Sequence, residues 1–320
     1  MAIYAYYCSH TLTKSINVMK ASGLHFIYSD KIDKPKWDQL VEHSNNASVF
    51  CYSWYLDSFC NWNAIILGDY RGAIAIPVKK NWGFTAVFQP PFVQKCEWFG
   101  KDLNQKQREG CFDRMHHFAS IINFNSNIDW LKEGNPRTNL ILSLGHYDNI
   151  YAGYSKSLAK NINKNKQTIE VRDADQIGNA VELYKKAYGA LNPHLDQAAY
   201  DSLTLMVAKK GDNFMCKEVY QNGALIAALL FAYGKGSLHY ILGAPTSIGR
   251  KHNAVSVGLD SVIRQYSGRN LKLDFEGSSI PSVKAFYESF GAQNEPFYEI
   301  EATKYWILGL KQIYKRVLRS

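Results

Sequence analysis

Between Leu271 and Ala292 the chain reads LKLDFEGSSIPSVKAFYESFGA, and its hydrophobic period changes halfway. Leu271, Leu273 and Phe275 alternate with Lys272, Asp274 and Glu276, which predicts a strand carrying two carboxylates on one face. Gly277-Ser278-Ser279 breaks the strand, and Pro281 suits a first helical turn. Val283, Phe286, Tyr287 and Phe290 then recur at helical spacing as far as Gly291, a residue fitted to a left-handed cap. Upstream, Asn213–Tyr220 and the nearly all-apolar Ala224–Tyr233 flank Asn222-Gly223, a strong hairpin signal, and Gly234-Lys235-Gly236 turns the chain into a strand from Ser237 to Leu242. A loop, Gly243–His252, leads into a helix from about Asn253 to Tyr266 with Val255, Leu259, Val262, Ile263 and Tyr266 on one side. Strand, helix, strand in that order is a crossover unit, so the strands ending at Leu242 and Phe275 are expected to be parallel neighbours. Ligands of such sheets collect beyond the carboxyl ends of the strands, here Gly243–Arg250 and Glu276–Ser279.

The first half shows a similar order. Trp37–Ser44 and Tyr52–Phe59 read as helices, and Ala64–Leu67 and Ala73–Val78 as a hairpin. Phe84–Phe88 reads as a strand that Pro90-Pro91 ends, and Gln105–Ile122 as a helix; Ile128–Leu131 and Leu140–Leu144 read as strands. The boundary is expected near Gly145–Tyr147, which gives domains over 1–145 and 146–302 and a tail over 303–320. Asp148–Lys166 reads as one helix with Lys156, Lys160 and Lys164 on a single face, either a phosphate-contacting ridge or a solvated surface. Ile169–Arg172 reads as a strand, and helices over Asp175–Tyr188 and Gln197–Lys209 enclose a loop holding Tyr188, Asn192 and His194. Phe297–Ala302 reads as the last strand of the second domain. The tail pattern, apolar Trp306, Leu310, Ile313, Tyr314 and Val317 against basic Lys311, Lys315, Arg316 and Arg319, suits a helix at a membrane surface or one docked on protein.

Composition narrows the partners more than the fold. The 320 residues are 46% hydrophobic, enough for two cores, and 37 Lys plus Arg against 28 Asp plus Glu leave a net charge of +9, which favours anionic partners. Six scattered cysteines without a C-x-x-C, and no histidine at metal spacing, predict reduced thiols and no metal site. No apolar run reaches the length of a membrane span and the N-terminus lacks a signal-like core, so a cytoplasmic location is expected.

The strand order of the second half, the wording DFEGS…FYESFGA and the upstream Tyr154-Ser155-Lys156 resemble the Gcn5-related N-acetyltransferases, and more specifically their FemABX branch. That resemblance implies an α/β (α+β) chain of two tandem acyltransferase-like domains, each a mixed, mostly antiparallel sheet flanked by helices, with the C-terminal tail packed back on the first. It implies an N-acyl- or aminoacyltransferase acting on an amine of a small molecule, a peptide or a peptidoglycan precursor, with peripheral membrane contact. The donor it implies is acyl-CoA or aminoacyl-tRNA, with no tightly bound cofactor. In the coenzyme-A-using relatives a loop of the pattern Arg/Gln-x-x-Gly-x-Gly/Ala cradles the pyrophosphate. The matching stretch here keeps Arg250 but has Asn253 and Val255 at the small positions, which suits a tRNA-borne donor better. Glu288 and Ser289 stand where that branch commonly carries a basic residue before Phe-Gly.

Acyl transfer to an amine needs a cradle for the donor, donors to the oxyanion and a route for a proton. Asp274, Glu276 and Tyr240 are the catalytic candidates: the carboxylates to receive the proton or position the amine, Tyr240 to bond the acceptor or leaving group. Structural roles compete, with Asp274 bridging to Arg250 or Lys272, Glu276 accepting turn N–H groups, and Tyr240 serving as core. Gly243, Ser247, Gly249, Arg250 and Asn253 are candidates for the donor cradle, and Lys156, Lys160, Tyr188, His194, Ser278 and Tyr287 for substrate contacts. A non-catalytic ligand- or nucleic-acid-binding protein on the same fold is the competing class.

Overall fold

The computed structural model describes residues 23–81, 83–131, 134–277, 280–304 and 307. In chain order the first elements are β1 (Leu24–Ile27), α1 (Lys34–His43), α2 (Ser53–Phe59), β2 (Asn61–Leu67), β3 (Gly72–Asn81), β4 (Phe84–Phe88), β5 (Phe99–Gly100), α3 (Gln105–Phe118), β6 (Ile121–Ser126) and β7 (Asn135–Arg137). There follow β8 (Leu140–Ser143), α4 (Tyr147–Ala152), α5 (Lys156–Asn165), β9 (Ile169–Ala174), α6 (Gly178–Tyr188), α7 (Gln197–Lys209), β10 (Phe214–Gln221), β11 (Ala224–Gly234) and β12 (Ser237–Pro245). The last are α8 (Ser247–Lys251), α9 (Ala254–Tyr266), β13 (Lys272–Asp274), α10 (Pro281–Glu288), β14 (Gln293–Asn294) and β15 (Phe297–Thr303).

Two compact units result, one from the described residues up to Pro90 with Lys95–Asn135 and those from Tyr298 on, the other from Pro91–Gln94 and Pro136–Phe297. The first unit's sheet runs β1-β2-β3-β4-β6-β15, with β5 beside β3. Its strands are buried on both faces: Ile65, Leu67, Ile74 and Ile76 join the core under α3, while Ala64, Ile66, Ala73 and Ala75 join Trp37, Val41 and Leu56 of α1 and α2. The second unit's sheet runs β14-β8-β13-β12-β11-β10-β9. Both are mixed, mostly antiparallel sheets flanked by helices.

Local sequence explains the second sheet. Asn222-Gly223 and Lys235-Gly236 all adopt positive φ, as tight hairpin turns require, and connect β10, β11 and β12. Strand β11, fully buried from Ile226 to Ala232, lies inside it between β10 and β12. Helix α9 comes so close to it that a Cβ on Gly258 would stand 2.7 Å from Leu229. The two wordings that carry the family resemblance meet: Ser155 N–H donates to the Ser289 carbonyl at 2.8 Å, and the Tyr154 ring stands edge-on to Phe290. Buried Asp260 of α9 accepts the hydroxyls of Tyr147 (2.8 Å) and Tyr154 (3.1 Å), tying α4 and its neighbouring turn to the core.

Four expectations need correction. Helix α3 stops at Phe118, and Ile121–Ser126 is a strand in which Ile122 and Phe124 are buried and alternate with Asn123 and Asn125; Ile128–Leu131 is not a strand. The helix expected over Asp148–Lys166 breaks at Gly153, and Ser155 caps a new one by accepting the Leu158 N–H. The loop after β12 contains α8. Strand pairing also crosses the expected boundary: β8 pairs with β13 and β14 of the second sheet, and β15 pairs with β6 of the first. Burial explains this exchange, since Leu140 and Leu142 belong to the second core and Ile300 to the first. Apart from Thr303, Lys304 and Ile307, the tail helix expected over 303–320 lies outside the described residues, as does the segment before Gly23.

Candidate active site

Strands β12 and β13 are parallel neighbours, as the crossover order predicts, but only through Ser237↔Lys272, Leu238↔Leu273 and His239↔Asp274. Beyond that point β12 continues along β11 to Pro245, while the other strand ends and its chain turns away through Glu276 (φ 63°) and Gly277 (φ 69°). The strands fork, and the fork opens at their carboxyl ends. A register shift against β11 leaves Ile241 as an extra residue, a bulge at the mouth of the fork. Next to it the Tyr240 ring lies back along its own strand, occupying the space a side chain at Gly243 would need.

At the apex three side chains converge. His239 Nδ1 lies 2.7 Å from Glu276 Oε1 and 3.8 Å from Asp274 Oδ2. A carboxylate only accepts hydrogen bonds, so Nδ1 carries the proton and donates to Glu276. Asp274 accepts the backbone N–H of Glu276 on Oδ1 (2.9 Å) and Asn139 Nδ2 on Oδ2 (3.1 Å), and Lys272 pairs with Glu295 instead. The left-handed conformation at Glu276, costing a non-glycine residue on the order of 1 kcal/mol or more, is thereby held by its own strand's aspartate. Gly277 follows necessarily, because a Cβ there would stand 2.5 Å from the Thr138 carbonyl. Glu276 is the member that reaches the surface: its side chain is 17% exposed against 4% for each of the others.

Among the described residues this trio is also the one group whose donor atoms, all within 4.8 Å of one another, could hold a metal ion. One imidazole and two carboxylates suit zinc, manganese or iron(II). Sequence spacing had predicted no metal site, because the donors come from two strands with the crossover helix between them.

Aromatic hydroxyls line the same region. Tyr240 stacks on Phe231 at 5.2 Å, and Tyr287 of α10 stacks on Phe275 at 4.6 Å and stands edge-on to Tyr240 at 6.3 Å. Tyr184 and Tyr188 of α6 are 5.4 Å apart. Burial pushes the phenols of Tyr240 and Tyr287 up, and nearby Tyr184 and Tyr188 push both further, with Glu276 adding to Tyr287. Burial, then Tyr200 and Tyr188, push Tyr184 up to about 12. These hydroxyls therefore keep their protons near neutrality and can donate hydrogen bonds.

The remaining candidates fall differently. Ser247, Gly249 and Arg250 lie in α8, where the Gly249 N–H donates to the Thr246 hydroxyl and the Arg250 N–H to the Thr246 carbonyl, and beyond it the Asn253 N–H donates to the Arg250 carbonyl. Gly249 allows α8 to sit on β11, since a Cβ would stand 1.9 Å from the Ile226 carbonyl. Asn253 starts α9 in a left-handed conformation without a side-chain cap, and Ala254 behind it is fully buried. Lys156 and Lys160, with Lys164, are exposed along α5, whose Leu158 and Ile162 face inward; His194 is exposed on the loop after α6. Ser278 lies outside the described residues. His239 and Asn139 were not singled out in the sequence. A histidine inside an apolar strand was the available signal, and only the register, which aligns it with Asp274, gives it meaning.

No family model matches the chain, and a search of curated proteins finds no match. Solved structures do match. One described as FemX aligns with a TM-score of 0.62 at 11% identity, covering 86% of this chain and 97% of that one. A conserved protein of unknown function from Bacteroides thetaiotaomicron aligns at 0.54 and 11%, covering 85% and 98%. The C-terminal DUF2156 domain of a putative lysylphosphatidylglycerol synthetase from Agrobacterium fabrum aligns at 0.52 and 8%, covering 89% and 96%. At these identities the likeness concerns the fold alone: the chain shares the fold of the structure described as FemX.

Proposed function

We propose that the protein is an N-acyl- or aminoacyltransferase whose second unit moves an acyl group onto an amine of a cell-envelope precursor, peptide or small molecule. The observation that carries this reading is the fork between β12 and β13 with Glu276 at its apex. The amine nitrogen attacks the acyl carbonyl, Glu276 takes the proton that nitrogen loses, and collapse of the tetrahedral intermediate expels the donor's oxygen or sulfur. Tyr240, its phenol neutral, supplies a proton to that leaving group and is reprotonated at the expense of the proton Glu276 has taken, so both groups return to their starting forms. Asp274 serves in this scheme as the brace of Glu276, with both its oxygens already engaged.

Between the two donor classes, an aminoacyl ester fits better than acyl-CoA. The positions that are glycine or alanine in the pyrophosphate loop of coenzyme-A-using relatives are Asn253 and Val255 here, and the Gly249 and Arg250 amides are bonded to Thr246. The exposed lysines of α5 and the net charge of +9 suit a tRNA backbone. Among the described residues no helix is long and apolar enough to cross a membrane.

Incubating the protein with charged tRNA, acetyl-CoA or long-chain acyl-CoA and a panel of amine acceptors, and reading amide formation by mass spectrometry, tests both points. An amide formed from charged tRNA is the expected result. Product from acyl-CoA alone would reassign the donor, and ligand-induced stabilisation without any product would favour a non-catalytic binding protein.

A further inference from the structure

Glu276 is held in place by a line of side chains drawn from distant parts of the second unit. Gln94 Nε2 donates to Asn139 Oδ1 at 2.9 Å, and Asn139 Nδ2 donates to Asp274 Oδ2 at 3.1 Å. Asp274 Oδ1 accepts the Glu276 N–H, and Glu276 Oε1 accepts from His239. Asn139 is fully buried, and its backbone is fixed as well: its N–H donates to Asn294 Oδ1 at 3.0 Å and its carbonyl accepts from Glu295 at 2.9 Å.

The order of donors along this line has one chemically consistent direction. An asparagine can turn its oxygen or its nitrogen toward a neighbour, and Asp274 as a carboxylate requires the nitrogen. Gln94 answers by giving its own N–H to the oxygen left on the other side. With Asn139 as donor, Asp274 keeps its other oxygen for the Glu276 amide, and that bond holds the left-handed turn which points Glu276 at His239.

We infer that Asn139, seated by Gln94, is a positioning residue for the proposed transfer: through Asp274 it sets the Glu276 turn and with it the His239–Glu276 hydrogen bond. It touches no substrate. The inference rests on Glu276 being the proton acceptor, but its structural half can be read without any turnover. Among the described residues, the charged groups facing Asp274 include His239 from β12 and Glu276 from its own turn, while Glu295, beside Asn139, is paired with Lys272.

Asn139→Asp and Asn139→Leu separate positioning from simple packing. In N139D a carboxylate replaces the amide donor and faces the Asp274 carboxylate, which it repels. N139L removes the donor at every pH. The readout is the His239 Nδ1–H resonance in protein labelled with 15N-histidine, assigned by its absence in His239→Gln, with folding followed by circular dichroism. In both folded variants the resonance is expected to be displaced or weakened relative to the wild type. Transfer should follow the same pattern, with kcat falling on the order of a hundredfold and KM little changed, as misplacement of a reacting group produces. A resonance and pH profile in both variants that match the wild type would overturn the inference. Intact transfer chemistry elsewhere would leave these spectra unaffected, so failure of the functional reading and failure of the positioning role are distinguishable.

Discussion

Each unit contains a fork between parallel strands. In the first unit β4 and β6 pair through Ala86↔Ile121, Val87↔Ile122 and Phe88↔Asn123, three pairs, the same number as between β12 and β13. Where the second fork has His239 opposite Asp274, the first has Phe88 opposite Asn123; where the second has Glu276, the first has Asn125. The first fork is also stitched shut, because Gln89 Oε1 accepts the Asn125 N–H at 2.7 Å and β6 continues to Ser126 paired with β15. Topology supplies the opening in both units, and three side chains set the fork of the proposed chemistry apart from the other.

The sharpest way to break that comparison is to exchange the decisive group. Glu276→Gln should lower the transfer rate by about a hundredfold or more, the usual worth of a positioned general base, while Asn125→Ala leaves it unchanged. A rate loss from the first-unit variant, measured in the same amide-forming assay, would move the chemistry to the other fork.

A large effect on stability is expected at Gly277. Alanine there meets both the left-handed φ of 69° and the Thr138 carbonyl at 2.5 Å, and should destabilise the protein by about 2 kcal/mol or more. Gly83, with a φ of 79° and open space around its Cβ position, isolates the conformational part, about 1 kcal/mol. Urea denaturation of the two variants measures the difference. Asp260→Asn comes next: one buried and one half-buried tyrosine hydroxyl exchange a charged acceptor for a neutral one, and a loss of about 1–2 kcal/mol is expected from the same measurement.

The mildest test treats both units alike. Burial pushes the thiols of Cys111, in the first unit, and Cys216, in the second, up to about 12. A raised folded value means the unfolded chain loses these protons first, so stability is complete below the ordinary thiol range near 9 and declines as pH rises from there toward 12. Denaturation midpoints at pH 8 and 10.5 should show that direction, with slow reaction of both thiols toward alkylating reagents in the folded protein.

Much of the second unit was legible in its residues. Asn222-Gly223, the unbroken apolar run of β11, the crossover order and Pro281 each act locally, and each produces the element its pattern predicts. Glu276 and Asp274 were also legible, as two carboxylates where a strand ends at a turn. His239 was not, because its role depends on which residue of a parallel neighbour lies beside it, and a three-residue ladder leaves no sequence trace of its register. Asn139 escaped for the same reason, 135 positions upstream of the aspartate it serves. Ile122 misled because it extends the helical stripe of α3 as well as it fits a strand. Strand adjacency misled at β8 and β15, where sheet membership follows burial rather than order along the chain.

That exchange of closing strands has a consequence for how the protein is made. Strand β6 is complete once Ser126 has been synthesised, yet its edge waits for Tyr298–Thr303, which pair with it from Ser126 back to Ile121. On a ribosome the first unit to emerge is thus the last to be finished, and its apolar edge stays open while the whole second unit is added. A chain interrupted just after Phe297 would hold every residue of the candidate active site and still lack the strand that seals the other sheet, so aggregation of such truncated chains would be governed by the unit that does not hold that site.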